Sequence, residues 1–329
     1  MKLIGYCNFV RQRSILVGLK GVSDKESPLV SVVIPSYNHA RYIGRTLQSL
    51  LNQSYINWEA IVVDNHSSDN TDEVMVGFND PRIQVLKIHN MGVIARSRNA
   101  GIRAAKGEWL AFLDSDDWWT SDKLQICIDH IDENVDFIYH KLEIVSNFSR
   151  VNKRKIIKSW QVKPPVLMDL LLKGNPIANS SAMVRKKLIS EIGGINESKE
   201  MIAAEDFNAW LRIGMLTNQF LYIPRILGYY LIHDQSVSKK DNSEAYKASI
   251  NEFIDILDSR QRKIVQCNTS YITGRYYYLK NDYKIAYKKL LESILGGSVS
   301  VVWRALILLM LISLKKAARN LSLGGRRLF

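Results

Sequence analysis

The stretch WLAFLDSDDWW, Trp109 to Trp119, opens as a buried apolar strand and closes on a turn holding Asp114, Asp116 and Asp117. A strand that delivers carboxylates into a turn puts them at the carboxyl edge of a sheet, where α/β proteins bind ligands. Neighbouring carboxylates repel one another unless a counter-charge joins them. A divalent cation that prefers oxygen, Mn2+ or Mg2+, would relieve the repulsion and also hold phosphate oxygens. Asp116 is the preferred direct metal ligand, while Asp114 either supports the metal or binds a ribose. The competing reading is an acidic loop capping the helix expected from about Ser121 to His130.

Upstream, the chain alternates strands and helices. LVSVVIP, Leu29 to Pro35, is a β-branched run ended by proline, and Arg41 to Leu51 places Ile43, Leu47, Leu50 and Leu51 on one helical face. EAIVVD, Glu59 to Asp64, is a second strand. Serines and Asp69 precede the next helical stretch and are candidates to cap it. Ile83 to His89 is a third strand, Ile94 to Ala105 a helix ended at Gly107, and VDFIYH a fifth strand after the Trp109–Asp114 one. Such alternation predicts crossover connections and a mostly parallel central sheet flanked by helices. Asp64, His89 and Asp114 then gather at the strand ends. Asp64 is suited to accept hydrogen bonds from a base or ribose, or to form an Asx turn within DNHSSD.

The chain has 329 residues and a net charge of +13. Residues 1–28 read as a basic arm and no convincing signal peptide, 29–240 as the α/β domain (29–130 and 131–240 as its halves), and 241–329 as a helical C-terminal extension. Cys7, Cys127 and Cys267 are too dispersed for a disulfide framework or a zinc pattern, which suits a reducing compartment. PSYNH follows the first strand where a dinucleotide fold would carry G-x-G-x-x-G, and no G-x-x-x-x-G-K-[ST] loop occurs, so nicotinamide, flavin and P-loop sites are disfavoured.

The strings VVIPSYNHARYIGRTLQSLLNQSY, EAIVVDNHSSDNT and NMGVIARSRNAGIRAAKGEWLAFLDSDDWW, taken in order, resemble the family 2 glycosyltransferases of the GT-A fold. The resemblance is dense over residues 29–130 and thinner to about 240. It implies that Pro35, Tyr37 and Asn38 shape a loop against a donor nucleotide and that Asp64 contacts its base or ribose. It implies that Arg98 and Asn99 lie beside the nucleotide phosphates, that Asp114 and Asp116 are the outer metal-motif aspartates, and that Asp117 supports them. Two departures bear on the donor. Asp64–Asn65 stands where paired acids are usual, and GVIARSRNAG is one residue longer than the shorter family form, which adds Arg96 as a candidate phosphate contact.

In AAEDFNAWLR, Glu205 and Asp206 read from sequence alone as acids at a helix start. The resemblance makes Asp206 the base that takes the acceptor hydroxyl's proton, with Glu205 and Trp210 as acceptor or supporting residues. His233, in YYLIHDQSVS, resembles the family's late histidine near the diphosphate or metal. Trp118, Trp119 and Trp210 either stack on a sugar or pack. Direct attack with a single base implies inversion at the sugar carbon.

The expected partners are a nucleotide-sugar donor, with UDP-hexose favoured, and a glycan or lipid-linked glycan acceptor of bacterial surface-polysaccharide or lipopolysaccharide type. A sugar-nucleotide nucleotidyltransferase and a non-catalytic sugar or nucleic-acid binding protein are the rival readings. From Asp241 onward there are 15 basic and 7 acidic residues, and from Ser293 onward six basic and none acidic. That asymmetry suits an anionic membrane surface ahead of a nucleic acid, or a basic face that only aids solubility. Val301 to Leu314 is short of the about 20 apolar residues a span needs. Trp303 with Lys315, Lys316, Arg319, Arg326 and Arg327 instead suits an interfacial helix on the inner face of the cytoplasmic membrane. A helix packed on the protein, or in an oligomer, is the alternative.

Overall fold

The computed structural model describes residues 27–146, 154–234, 236 and 241–324, without the side chains of 317 and 319–324. Most of the basic arm, Cys7, Arg326 and Arg327 lie outside the described residues, as does the side chain of Arg319.

Strand β1 (Val30–Ser36) leads to helix α1 (Ala40–Leu51), β2 (Trp58–Asp64) to α2 (Thr71–Val76), β3 (Ile83–Lys87) to α3 (Ile94–Ala104), and α3 to β4 (Trp109–Phe112). These strands pair in parallel in the order β3-β2-β1-β4. Alternation along each strand sorts the side chains between two cores. Val33, Ile61, Val63, Leu110 and Phe112 pack with Ala95 and Ile102 of α3. Val32, Ile34, Ala60, Val62 and Ala111 pack with Ile43 and Leu47 of α1. Burial on both faces is why β1, β2 and β4 read as near-continuous apolar runs, while β3 at the edge is partly exposed. Helix α3 lies close to the sheet because Gly101 has no side chain; a Cβ there would come within 2.6 Å of Val33 Cγ1.

After β1 the chain moves outward through β2 and β3, then returns to place β4 on the other flank of β1. The crevice outside the carboxyl ends of β1 and β4 is therefore the topological switch point at which such sheets bind ligands.

The sheet continues as β8 (Met183–Arg185), β6 (Phe137–Ser146), β9 (Phe220–Ile232) and β5 (Trp118–Trp119), while β7 (Lys155–Ile156) pairs with β6. Strand β8 runs antiparallel to β4 and β6, so the nine-stranded sheet is mixed, with its first four strands parallel. Helices α4 (Lys123–Asp129), α5 (Val166–Lys173), α6 (Lys186–Glu191) and α7 (Glu205–Leu216) flank it. Strand β9 is the aromatic stretch whose proline and glycine hid it in the sequence. Pro224 cannot donate to a ladder, and the β6–β9 register shifts there, from His140↔Ile223 to Lys141↔Ile226 and Leu142↔Gly228. Strand β3 ends at Lys87, two residues short of the expected end. Asp69 is not the N-cap of α2, which is Asn70, but its Oδ1 accepts the Thr71 N–H at 3.1 Å and its Oδ2 the Ala40 N–H at 3.1 Å, tying two helix starts together.

The extension is helical, as expected: α8 (Ser243–Ile250), α9 (Ser259–Leu279), α10 (Tyr283–Ile294) and α11 (Val299–Gly324). Helices α9 and α10 are joined at Lys280–Asp282, and α9 starts at a capping box formed by Asp258 and Gln261. Among the described residues no helix is long and apolar enough to cross a membrane.

Candidate functional site

The aspartate turn lies between β4 and β5, and each end is fixed. The Leu113 N–H donates to Val33 O at 3.1 Å and the Asp114 N–H to Ser180 Oγ at 3.1 Å. Thr46 Oγ1 on α1 donates to the carbonyls of Ser115 (2.9 Å) and Asp117 (2.7 Å). Trp118 and Trp119 then pair antiparallel with Tyr229 and Gly228 of β9. This pairing explains how residues more than a hundred positions apart meet. Asp117 Oδ1 accepts the Leu231 N–H at 2.9 Å, and two residues on, His233 Nε2 reaches Asp116 Oδ2 at 2.8 Å.

Asp117 is fully buried and also accepts a hydrogen bond from Ser180 Oγ at 2.6 Å. Burial, followed by the Asp116 and Asp114 charges, raises its pKa well above the ordinary carboxylate value. Asp116 is also raised, by burial and then by Asp114, with His39 and His233 opposing. Burial, with His233, lowers the pKa of His39, whose Nδ1 is 2.6 Å from Ser115 Oγ.

The other half of the site comes from the start of α7. Ala203, with φ of 81°, holds a left-handed conformation rare for a residue with a side chain. Its N–H donates to Glu205 Oε2 at 2.7 Å. The second Glu205 oxygen bonds Arg98 Nη1, and Arg98 Nη2 donates to Asp114 Oδ1 at 3.0 Å. Arg98 thus joins the two halves through a buried three-residue ion network. Burial alone would disfavour its charge, but Asp114, Glu205 and Asp206 outweigh that and raise its pKa. Asp206, the next residue of the turn, is held up at about 7, first by burial and then by the Glu205 charge, against the pull of Arg98.

Removing one partner of a buried network leaves its charges uncompensated. Arg98→Ala should lower the free energy of unfolding by about 3–5 kcal/mol. Urea denaturation checks this; an unchanged midpoint would show the network to be dispensable.

A cavity of about 850 Å³ lies between the halves, lined among others by Tyr37, Arg98, Asp114, Asn179, Glu205 and Asp206. Its volume suits a large ligand. The structure thus brings Tyr37, Asp114, Glu205 and Asp206 to one space, with Asp116 and His233 paired beside Asp114.

Other residues singled out from sequence have their groups engaged elsewhere. Both Asp64 oxygens accept from Ser67, three residues on, its hydroxyl at 2.5 Å and its N–H at 2.9 Å, a loop one residue wider than an Asx turn. Asn38, at φ 52°, accepts from the Ser68 N–H at 2.8 Å and closes that loop onto the end of β1, where Pro35 is buried. Arg96 pairs with Glu197 at 3.3 Å. Asn99 bonds the Ile195 backbone and Glu197. Trp210 is buried in the core against Phe112 and Phe137, with ring centroids 5.7 and 4.8 Å away, and does not line the cavity. Trp118 stacks on Tyr229 and carries Arg45 over its ring at 3.4 Å; Trp119 is buried and donates to Ser180 O.

Among the described residues no group of three or more His, Cys, Asp or Glu is arranged to hold a metal. The side chains that fit one best are Asp116 and His233, an oxygen and a nitrogen donor facing each other. A cation that keeps most of its shell for water and phosphate oxygens needs no more than one or two protein donors. Asp114 Oδ1 is instead held by Arg98 Nη2 at 3.0 Å and by Asn179 Nδ2, which donates to it at 2.9 Å. Asn179 and Ser180, which position two of the three aspartates, carry no catalytic signature in NSSAMV.

The profile of "Glycosyl transferase family 2" matches residues 31–193. The chain is 30% identical over 263 residues to the Escherichia coli UDP-Glc:alpha-D-GlcNAc-diphosphoundecaprenol beta-1,3-glucosyltransferase WfgD, covering 79% of this chain and 94% of that enzyme. It is 31% identical over 222 residues to the E. coli enzyme of the same description, WfaP, covering 67% and 84%. In three dimensions it resembles S. aureus TarS 1-349 in complex with UDP-GlcNAc, with a TM-score of 0.59, 22% identity and coverage of 83% and 82%. It also resembles the mannosyltransferase PcManGT from Pyrobaculum calidifontis in complex with GDP-Man and Mn2+, with a TM-score of 0.55, 18% identity and coverage of 91% and 81%. The strand-end aspartates, the cavity between two sheet halves and these matches agree: the chain is a glycosyltransferase of family 2 with the GT-A fold.

Proposed function

We propose that the protein transfers a hexose from a UDP-sugar to a hydroxyl of a glycan or lipid-linked glycan, with inversion at the sugar carbon. One observation carries this reading. Asp206 enters from the second half of the domain the same cavity that Asp114 enters from the first, and its pKa of about 7 is that of a base matched to neutral pH. The named acceptor of the E. coli relatives, a sugar on diphosphoundecaprenol, supports a lipid-linked acceptor here.

In this reading the donor nucleotide lies along Tyr37 and the loop that Asp64, Ser67 and Asn38 build. Asp116 and His233 would hold Mn2+ or Mg2+, with Asp117 fixing the turn beneath them. When bound, the cation would neutralise charge on the departing diphosphate. Asp206 takes the proton of the acceptor hydroxyl as its oxygen attacks the sugar carbon from the face opposite the diphosphate. The charges of Glu205 and Arg98 set the basicity of that carboxylate. Arg98 is thereby assigned to linking the two halves, since both its bonded nitrogens already face carboxylates.

Protonated Asp206 cannot accept the hydroxyl proton. The value of kcat/KM should therefore fall about tenfold per pH unit below about 7 and level off above it. A flat profile from pH 5.5 to 8 would exclude Asp206 as the base.

A donor panel tests the function itself. Purified protein with Mn2+ or Mg2+ is incubated with UDP-, GDP- and dTDP-sugars, and the released nucleotide is identified. Nucleoside diphosphate from a UDP-hexose is expected; pyrophosphate formation from a sugar phosphate and nucleotide would identify a nucleotidyltransferase instead.

A further inference from the structure

Helix α11 is apolar on two sides. Val301, Ala305, Leu309 and Ile312 are buried against Tyr271, Ala286 and Leu290 of α9 and α10. The opposite side carries Trp303, Leu306, Ile307, Met310 and Leu314, all exposed, Trp303 at 65% and Met310 at 57%. Their spacing of three and four residues makes one continuous stripe, where a helix facing water would present polar groups.

The charges around this stripe have one sign. Helix α11 contains Arg304, Lys315, Lys316 and Arg319 and no acid. Arg304 lies over the Tyr271 ring at 5.9 Å and Lys315 Nζ donates to Tyr283 Oη at 2.9 Å, so both charges are held along the flank of the stripe.

We infer that the outward face of α11, with Arg304 near one end and Lys315 and Lys316 near the other, docks on an anionic lipid surface; this does not depend on the transfer reading above. A second copy fits this face poorly, because either orientation of two such stripes would bring basic ends against basic ends. An interfacial helix needs only one embedded face, tryptophan sits well at the lipid boundary, and basic flanks are drawn to anionic headgroups.

The test is flotation of the full chain with phosphatidylglycerol-containing vesicles and with phosphatidylcholine vesicles. Wild type should float with the anionic vesicles, less so in high salt. W303E/M310E, which leaves the packed side of α11 untouched, should float roughly tenfold less or worse, with unchanged circular dichroism and unchanged release of UDP from donor in solution. K315E/K316E should lose the preference for anionic lipid. Equal flotation of wild type and W303E/M310E would overturn the inference. So would a wild-type dimer in light scattering that W303E/M310E dissolves, since the face would then be covered by a second copy. Loss of flotation in a protein whose wild type also releases no UDP would uphold the docking and count against the transfer reading alone.

Discussion

Asp206→Asn should lower sugar transfer by about 10²–10⁴-fold, the usual worth of a positioned general base, while leaving donor affinity near that of wild type. The amide keeps the size of the carboxylate and its acceptance of the Phe207 N–H, made at 2.6 Å in the wild type. It cannot accept a proton. Calorimetric titration with UDP separates the two effects. The pH dependence should vanish with the base, so the residual rate of the variant should be flat across pH 7. Transfer near the wild-type rate at saturating acceptor would remove Asp206 from the mechanism and turn attention to Glu205, whose carboxylate is already committed to Arg98 and Ala203.

Asp116→Ala should cost about 10²–10³-fold in metal-dependent turnover, the scale on which losing one charge-stabilising group in an active site is felt. The fold should survive. The turn is held by Thr46, by the Asp117–Leu231 and Asp117–Ser180 bonds and by the Asp114 N–H, none of which involves the Asp116 side chain. The variant should therefore keep its circular dichroism and its unfolding midpoint within a few degrees. Wild-type turnover at equal Mn2+ would sink the assignment of Asp116. Loss of activity together with unfolding would mean the turn depends on this carboxylate in a way its hydrogen bonds do not account for.

The first half of the fold was legible because its strands are buried on both faces. Val30 to Ser36, Trp58 to Asp64 and Trp109 to Phe112 hold near-continuous apolar runs, interrupted inside only by Ser31 and Glu59, which bond each other at 2.6 Å. The second half was not, because its strands are marked by residues that usually argue against strands. Pro224 and Gly228 sit inside β9, and a register shift absorbs the proline while the glycine admits Trp119 and Leu142 to within 2.9 Å of where a Cβ would lie. The site divides in the same way. Asp114 and Asp116 could be named from a strand end, whereas Glu205 and Asp206 read only as acids at a helix start until the family resemblance singled out Asp206. The partners of Arg96, Arg98 and Asn99 could not be named, since Glu197 and Glu205 are about a hundred residues away and only the packing of α3 against the second half brings them together.

That packing also changes how the site is understood. Arg98, in a segment whose resemblance points to phosphates, is tied to Asp114 on one side and Glu205 on the other. The basicity of Asp206 then depends on a residue that need not touch the donor, which couples the two halves of the domain electrostatically.

The most direct measurement is proton NMR of the first-formed product from a UDP-α-hexose and a defined acceptor. The three-bond coupling of the new anomeric proton reports at once that sugar has been transferred and on which face. Direct attack assisted by Asp206 predicts a β-linked product, inverted with respect to the donor. An α-linked product, with the donor's configuration retained, would contradict direct attack assisted by Asp206.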